Sequence, residues 1–175
     1  MTQAVAFDMD DTLLRDDRTI SPYTIQVLRC AHAQGIHVIP ASGRARDSMR
    51  PFVEQLGCAS CYIACNGAEL WSSNHQLLHR ETLDVALIHE IAAFAAAHQC
   101  YAQVYYGAKF YYSMHCVYAD QYAASSMLEG EYVGDLTQYV KEPTTKVLMM
   151  DTPEKIASLI LQAQTLFHGR AQVTC

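Results

Sequence analysis

Ala4-Val5-Ala6-Phe7-Asp8-Met9-Asp10-Asp11-Thr12-Leu13-Leu14 is an apolar run that ends in a cluster of carboxylates. The apolar residues before Asp8 read as a short buried strand. Side chains alternate along a strand, so Asp8 and Asp10 project to the same side of its end. Two carboxylates that close repel each other and desolvate poorly. A hard divalent ion such as Mg²⁺ relieves this, taking carboxylate oxygens and keeping several waters. A carboxylate can also attack phosphorus to give an aspartyl phosphate. A second carboxylate two residues on can protonate the leaving oxygen and then deprotonate a water. In an open parallel sheet, ligands bind beyond the carboxyl ends of the strands, which is where this cluster falls. The competing readings are a solvated turn and a calcium loop. The calcium loop fails, because counting from Asp8 its glycine and glutamate positions hold Leu13 and Thr19.

Downstream, Ser21-Pro22 marks a helix start, with Ser as the N-cap and Pro at the first helical position. Ile25, Val27 and Leu28 fall near a helical stripe, and Gly35 stops the helix. Ile36-His37-Val38-Ile39-Pro40 is a second short strand, and it runs into Ala41-Ser42-Gly43-Arg44. A hydroxyl and a glycine at a strand end suit phosphate oxygens, because the hydroxyl and nearby backbone N–H groups donate to an anion. Taken alone, Ser42 reads more simply as the cap of a helix over 45–56.

Taken together in one β-α-β frame, the two pieces resemble the haloacid dehalogenase superfamily, in its Cof-like phosphatase branch. Asp8 to Thr12 matches the family's Asp-x-Asp-x-Thr motif, and Ser42 within Ser42-Gly43-Arg44 matches its second motif. Ile63-Ala64-Cys65-Asn66-Gly67-Ala68 matches a strand that in this branch ends in Asn-Gly-Ala. The resemblance implies Asp8 as nucleophile and Asp10 as general acid/base. It implies phosphate contacts from Met9, Ser42, Gly43, Arg44 and Asn66. It implies Mg²⁺ at Asp8 and Asp10, through the Asp8 side chain and the Asp10 backbone carbonyl. Position 11 is more often Gly in this branch, and here it is Asp11.

The implied fold class is α/β, a partial Rossmann-like parallel sheet with an α+β cap of type IIB. Residues 1–82 read as the N-terminal part of the core, ending in a flap hairpin over 70–82. Residues 83–175 read as the cap. It holds a helix over 84–98, aromatic strands 101–106 and 109–113, and a helix near 116–128. Strand 145–150, helix 153–167 and strand 170–175 follow. The family's third motif, a lysine, and its fourth, an acidic Gly-Asp loop, are not found in their expected context. Lys146 precedes a cap strand, and Gly134-Asp135-Leu136 lies in the cap stretch. The chain therefore reads as C-terminally truncated relative to the family. Its first strand is then an edge, open to a homodimer or another partner.

Composition narrows the classes further. Twelve Lys and Arg against 18 Asp and Glu give a net charge of −6 with no basic run, which argues against a nucleic-acid partner. No apolar run reaches bilayer length and no secretory leader precedes the first strand, so the expected setting is cytoplasmic, with no membrane partner. Seven cysteines then read as thiols. Cys58, Cys61 and Cys65 have a metal-like spacing, but lack a second pair and are better explained as small buried hydrophobes. His115 reads as a packed or surface aromatic rather than a substrate ligand, and the tyrosines over 101–118 read as strand packing. Two functions stay open: a Mg²⁺-dependent phosphatase of a small phosphorylated metabolite, and a non-catalytic phosphate-binding or interaction module.

Overall fold

A computed structural model describes residues 2–175, which form two compact units divided between Glu81 and Thr82. The first unit holds β1 (Ala4–Asp8), α1 (Pro22–Ala33), β2 (His37–Ala41), α2 (Arg46–Leu56), β3 (Cys61–Ala64), β4 (Glu69–Ser72) and β5 (Leu77–Arg80). They make one sheet in the order β1-β2-β3-β4-β5. β1, β2 and β3 run parallel, and β4 and β5 follow as an antiparallel hairpin. Asp8 pairs with Ala41, and Ala41 with Ile63, so the carboxyl ends of the three parallel strands lie on one rim.

Local chemistry accounts for the elements. Ser21 caps α1 by accepting the Thr24 N–H at 3.0 Å, with Pro22 at the first position. Gly57, at φ 64°, ends α2 in a left-handed cap. The α2 face made by Ser48, Met49, Phe52, Val53 and Leu56 is buried, as are Val38 of β2 and Tyr62 of β3. Arg29 of α1 donates to the Leu56 and Gln55 carbonyls, at 2.8 and 3.1 Å, and so satisfies two terminal acceptors of α2. In the hairpin, the buried Glu69 carboxylate accepts from Trp71 Nε1 at 2.8 Å and from Arg80 Nε at 3.1 Å.

Two expectations for this unit change. β1 is a strand but not a buried one: Ala4 and Ala6 are exposed and Val5 and Phe7 half-buried, because only β2 flanks it. α1 keeps its predicted stripe, yet Ile25 and Leu28 are only half-buried and Val27 is 46% exposed.

The second unit holds α3 (Val85–Ala97), β6 (Tyr101–Tyr106), β7 (Lys109–Tyr112), α4 (Val117–Ser126), β8 (Glu129–Tyr132), α5 (Leu136–Tyr139), β9 (Val147–Met150) and α6 (Pro153–Leu166). Its sheet has the order β8-β7-β6-β9. Residues Tyr101 to Tyr105 of β6 are all buried. Ala102 and Val104 pack with Ile88, Ala92 and Ala95 of α3. From the same strand, Tyr101 and Tyr105 meet the Tyr118 and Tyr122 rings of α4. A second cluster joins Leu87 and Ile91 of α3 to Ala163 and Phe167.

Residues 170–175 form no strand. α6 ends at Leu166 with Phe167 as its C-cap, and left-handed Gly169 follows in the turn, where the Arg170 and Ala171 N–H groups reach back to the Phe167 carbonyl at 3.0 and 3.1 Å. Ala171 and Val173 then pack on the Phe167 cluster. β8 escapes the sequence patterns because Glu129-Gly130-Glu131-Tyr132 has no apolar alternation; Gly130 leaves the space taken by the buried Phe110 ring. Among the described residues, no helix is long and apolar enough to cross a membrane.

Candidate active site

The site is built on the rim where β1, β2 and β3 end. After Asp8 the chain does not continue as strand. It closes a tight turn in which the Leu14 N–H reaches the Met9 carbonyl at 2.8 Å. Met9, Leu13 and Leu14 are buried and anchor this turn, which leaves Asp8, Asp10 and Asp11 exposed. Asp10 is extended, at φ −73° and ψ 136°, whereas Asp11 is left-handed at φ 55°. A left-handed residue favours glycine, and Asp is among the few others that tolerate it. Glycine would adopt the same backbone without that cost.

Ser42 follows β2 directly. Its N–H donates to the Ile63 carbonyl at 3.0 Å, tying the loop to β3. Its hydroxyl accepts the Arg44 N–H at 3.1 Å and caps no helix; Ala45 occupies the N-cap of α2. Ser42 is 6% exposed, so the rest of its side chain is packed in place.

Arg44 reaches across to the acidic turn. Its Nη2 lies 2.7 Å from Asp10 Oδ1 and its Nε 2.9 Å from Asp10 Oδ2, a two-pronged carboxylate contact. Its Nη1 donates to the wholly buried Ser48 at 3.0 Å, and the guanidinium lies 5.8 Å from the Phe52 ring centre. Arg44, predicted as a phosphate ligand, is thus placed on the predicted acid/base. Asp10 is 49% exposed on its side chain, so the pair is worth about 1 kcal/mol or less in stability. Its larger effect is on orientation, because a planar fork fixes the carboxylate it grips.

Asn66 completes the rim. Its N–H donates to the Ser42 carbonyl at 3.1 Å, and the Cys65 N–H donates to the Arg44 carbonyl at 2.9 Å. The Asn66 side chain lies against Gly43. The structure therefore brings Asp8, Met9, Asp10, Ser42, Gly43, Arg44 and Asn66 into one neighbourhood of the first unit. The residue that sequence reasoning missed is Ser48. Its signal was its position four after Arg44, within side-chain reach across one helical turn.

The donor chemistry fits Mg²⁺. The Asp8 carboxylate and the Asp10 main-chain carbonyl are hard oxygen donors, and Mg²⁺ binds through one or two carboxylates with water and phosphate completing its shell. Among the described residues, no three or more His, Cys, Asp or Glu side chains gather to hold a metal. The cysteine segment accordingly makes no metal cluster, and burial pushes the Cys58 and Cys61 thiols up, away from the thiolate form that metals need.

Comparison with known proteins gives the family and the fold. The sequence profile of the haloacid dehalogenase-like hydrolases matches residues 5–174. The chain is 38% identical over 79 residues to the 5-amino-6-(5-phospho-D-ribitylamino)uracil phosphatase YcsE of Bacillus subtilis, a match covering 45% of this chain and 32% of that one. It is 31% identical over 107 residues to phosphatase YwpJ of the same organism, covering 61% and 38%. Among solved structures, a haloacid dehalogenase-like hydrolase from Bacteroides thetaiotaomicron superposes with a TM-score of 0.87 at 18% identity, over 100% of this chain and 68% of its own. A sugar phosphatase of subclass IIB superposes with a TM-score of 0.77 at 19% identity, over 91% and 63%. The matches to the two curated phosphatases thus span 32% and 38% of those relatives' lengths.

Proposed function

The chain belongs to the haloacid dehalogenase-like hydrolase family, in its Cof-like branch, and from that premise we propose that it is a Mg²⁺-dependent phosphatase of a small phosphorylated metabolite. Asp8 attacks phosphorus: the Asp8 O–P bond forms, the bond to the leaving oxygen breaks, and Asp10 gives that oxygen a proton. Water then attacks the aspartyl phosphate, giving its proton to Asp10 and releasing inorganic phosphate and a free Asp8. The Ser42 hydroxyl and the backbone N–H groups of Met9 and Gly43 bind the phosphoryl oxygens. Arg44 aims the Asp10 carboxylate. Mg²⁺, held by the Asp8 carboxylate and the Asp10 carbonyl, would supply neutralisation of phosphoryl charge. We assign residues 82–175 as the substrate-screening cap.

The observation that carries this reading is the rim on which Asp8, Asp10 and Ser42 meet, with Asp8 paired to Ala41 next to Ser42; the Arg44 fork, which occupies both Asp10 oxygens, releases one of them when Asp10 carries a proton. The test is hydrolysis of p-nitrophenyl phosphate with and without Mg²⁺, with Asp8→Asn as control. Turnover that needs Mg²⁺ and disappears in the variant supports the reading. Equal, background rates from two folded samples reject it and leave a phosphate-binding module. One observation favours that second reading: the lysine and Gly-Asp of the second unit are engaged elsewhere. Lys146 Nζ lies 4.6 Å above the Tyr105 ring, and Asp135 caps α5 by accepting from the Thr137 N–H at 2.8 Å.

A further inference from the structure

Cys65 and Asn66 hold φ angles of 52° and 55°, and Gly67 follows at 99°. Nowhere else among the described residues do two non-glycine residues of positive φ adjoin. Such backbone persists only where its surroundings fix it, and it gathers at functional positions. Here the surroundings are the Ser42–Arg44 loop. The left-handed turn sends the Asn66 N–H to the Ser42 carbonyl at 3.1 Å and the Cys65 N–H to the Arg44 carbonyl at 2.9 Å, one on each side of Gly43.

Gly43 itself is not left-handed. Its backbone would accept alanine without strain. What excludes a side chain is Asn66: a β-carbon at position 43 would lie 2.7 Å from Asn66 Oδ1 and 3.3 Å from its Cγ. Glycine at 43 and asparagine at 66 are therefore two halves of one steric fit.

We propose that Asn66 is a positioning residue, size-coupled to Gly43, that holds the Ser42–Arg44 loop in the shape that receives a phosphoryl group and, through Arg44, holds the Asp10 carboxylate. The inference rests on the phosphoryl-transfer reading of that loop. It differs from a role for Asn66 as a direct phosphate ligand, and the two roles predict opposite signs in one experiment.

The experiment uses four proteins: wild type, Gly43→Ala, Asn66→Gly and the double variant. Glycine at 66 keeps the left-handed turn unstrained and removes only the side chain. Each is titrated with inorganic phosphate by calorimetry, with Mg²⁺ present. Gly43→Ala should weaken binding about tenfold or more, because the new methyl collides with Asn66. Asn66→Gly should weaken it several-fold. The double variant should bind more tightly than Gly43→Ala, since the methyl enters the space that Asn66 vacates. Arginine side-chain NMR gives a second readout: the shifted Arg44 Nε–H signal expected of a carboxylate contact should fade in Gly43→Ala and return in the double variant. A double variant that binds no better than Gly43→Ala, with no returning signal, overturns the proposal and restores Asn66 as an independent ligand.

Thermal melts of the same four proteins separate this inference from the phosphatase reading. Wild type that ignores phosphate removes the phosphoryl reading, while the melts still decide the coupling. An Asn66→Gly change that raises the melt more in the Gly43→Ala background than in wild type supports the steric fit, and an equal or smaller change refutes it. Should Gly43→Ala not fold at all, recovery of a cooperative melt in the double variant is the supporting result.

Discussion

Asp11 shows how one residue records the geometry of its turn. At φ 55° it occupies backbone that costs most side chains about 1 kcal/mol or more. Asp11→Gly should leave stability unchanged or raise it by a few tenths of a kcal/mol, whereas Asp11→Val should lower it by roughly 1–2 kcal/mol, both read by denaturant melts. Asp8 and Asp10 were legible as a pair from the Asp-x-Asp pattern, but not by the alternation first argued for them, because the strand ends at Asp8 and Asp10 lies in the turn after it; Ser42 was legible from its place at a strand end. The Arg44–Asp10 contact was not, since it joins residues 34 apart and no local pattern encodes such a reach. The Gly43–Asn66 fit was hidden for the same reason: sequence shows a glycine, but not whether backbone or a neighbouring side chain requires it. Arg44→Lys keeps a charge but loses the planar fork. It should cut any Mg²⁺-dependent p-nitrophenyl phosphate turnover about tenfold or more, measured as kcat at saturating substrate.

At the scale of elements, β6 is the strand with most at stake. Gln103 is wholly buried; it accepts from the Tyr101 hydroxyl at 2.6 Å and donates through Nε2 to the Tyr105 hydroxyl, also at 2.6 Å. This line of polar groups runs along one face of a strand whose other face is apolar. Gln103→Leu matches its bulk but takes a partner from each hydroxyl. It should destabilise the second unit by about 1–3 kcal/mol, measured by urea unfolding. The caps carry smaller terms. Asp84 accepts the Leu87 N–H at 2.8 Å, and Asp84→Ala should cost about 1 kcal/mol by the same assay. At α5, the Thr137 hydroxyl and amide hold the Asp135 carboxyl below its ordinary value of 3.8. The cap's contribution is therefore complete above that value and is lost as pH falls through the lower folded value. An NMR titration of the Thr137 amide should show its change in that acid range. Sequence located most helices and strands here, though not β8 and α5, because capping residues and apolar periodicity are local. It failed at 170–175, where β-forming Val173 and Thr174 are outweighed by tertiary packing of Ala171 and Val173 on Phe167.

Across the whole molecule, both sheets are open, and each end strand has one neighbour. The first sheet ends at β1, paired on one side only. A strand edge of this kind joins another strand unless charge, proline or a bulge blocks it. Sedimentation velocity at rising concentration should show a dimer, and Ala6→Lys should return it to monomer; a wild type that stays monomeric throughout removes β1 as an interface. The α/β class was readable, because the motifs fell at the ends of short apolar strands separated by helical patterns. The exposure of β1 and α1 was harder to see, since apolar runs look the same whether or not a neighbour covers them. Paired on one side only, β1 should also keep two clocks. In deuterated solvent, its amides facing β2 should hold their protons as long as the sheet persists. Those that alternate with them should trade theirs at nearly the pace of an unfolded peptide, so that the strand beneath Asp8 is half fixed and half fluid in time.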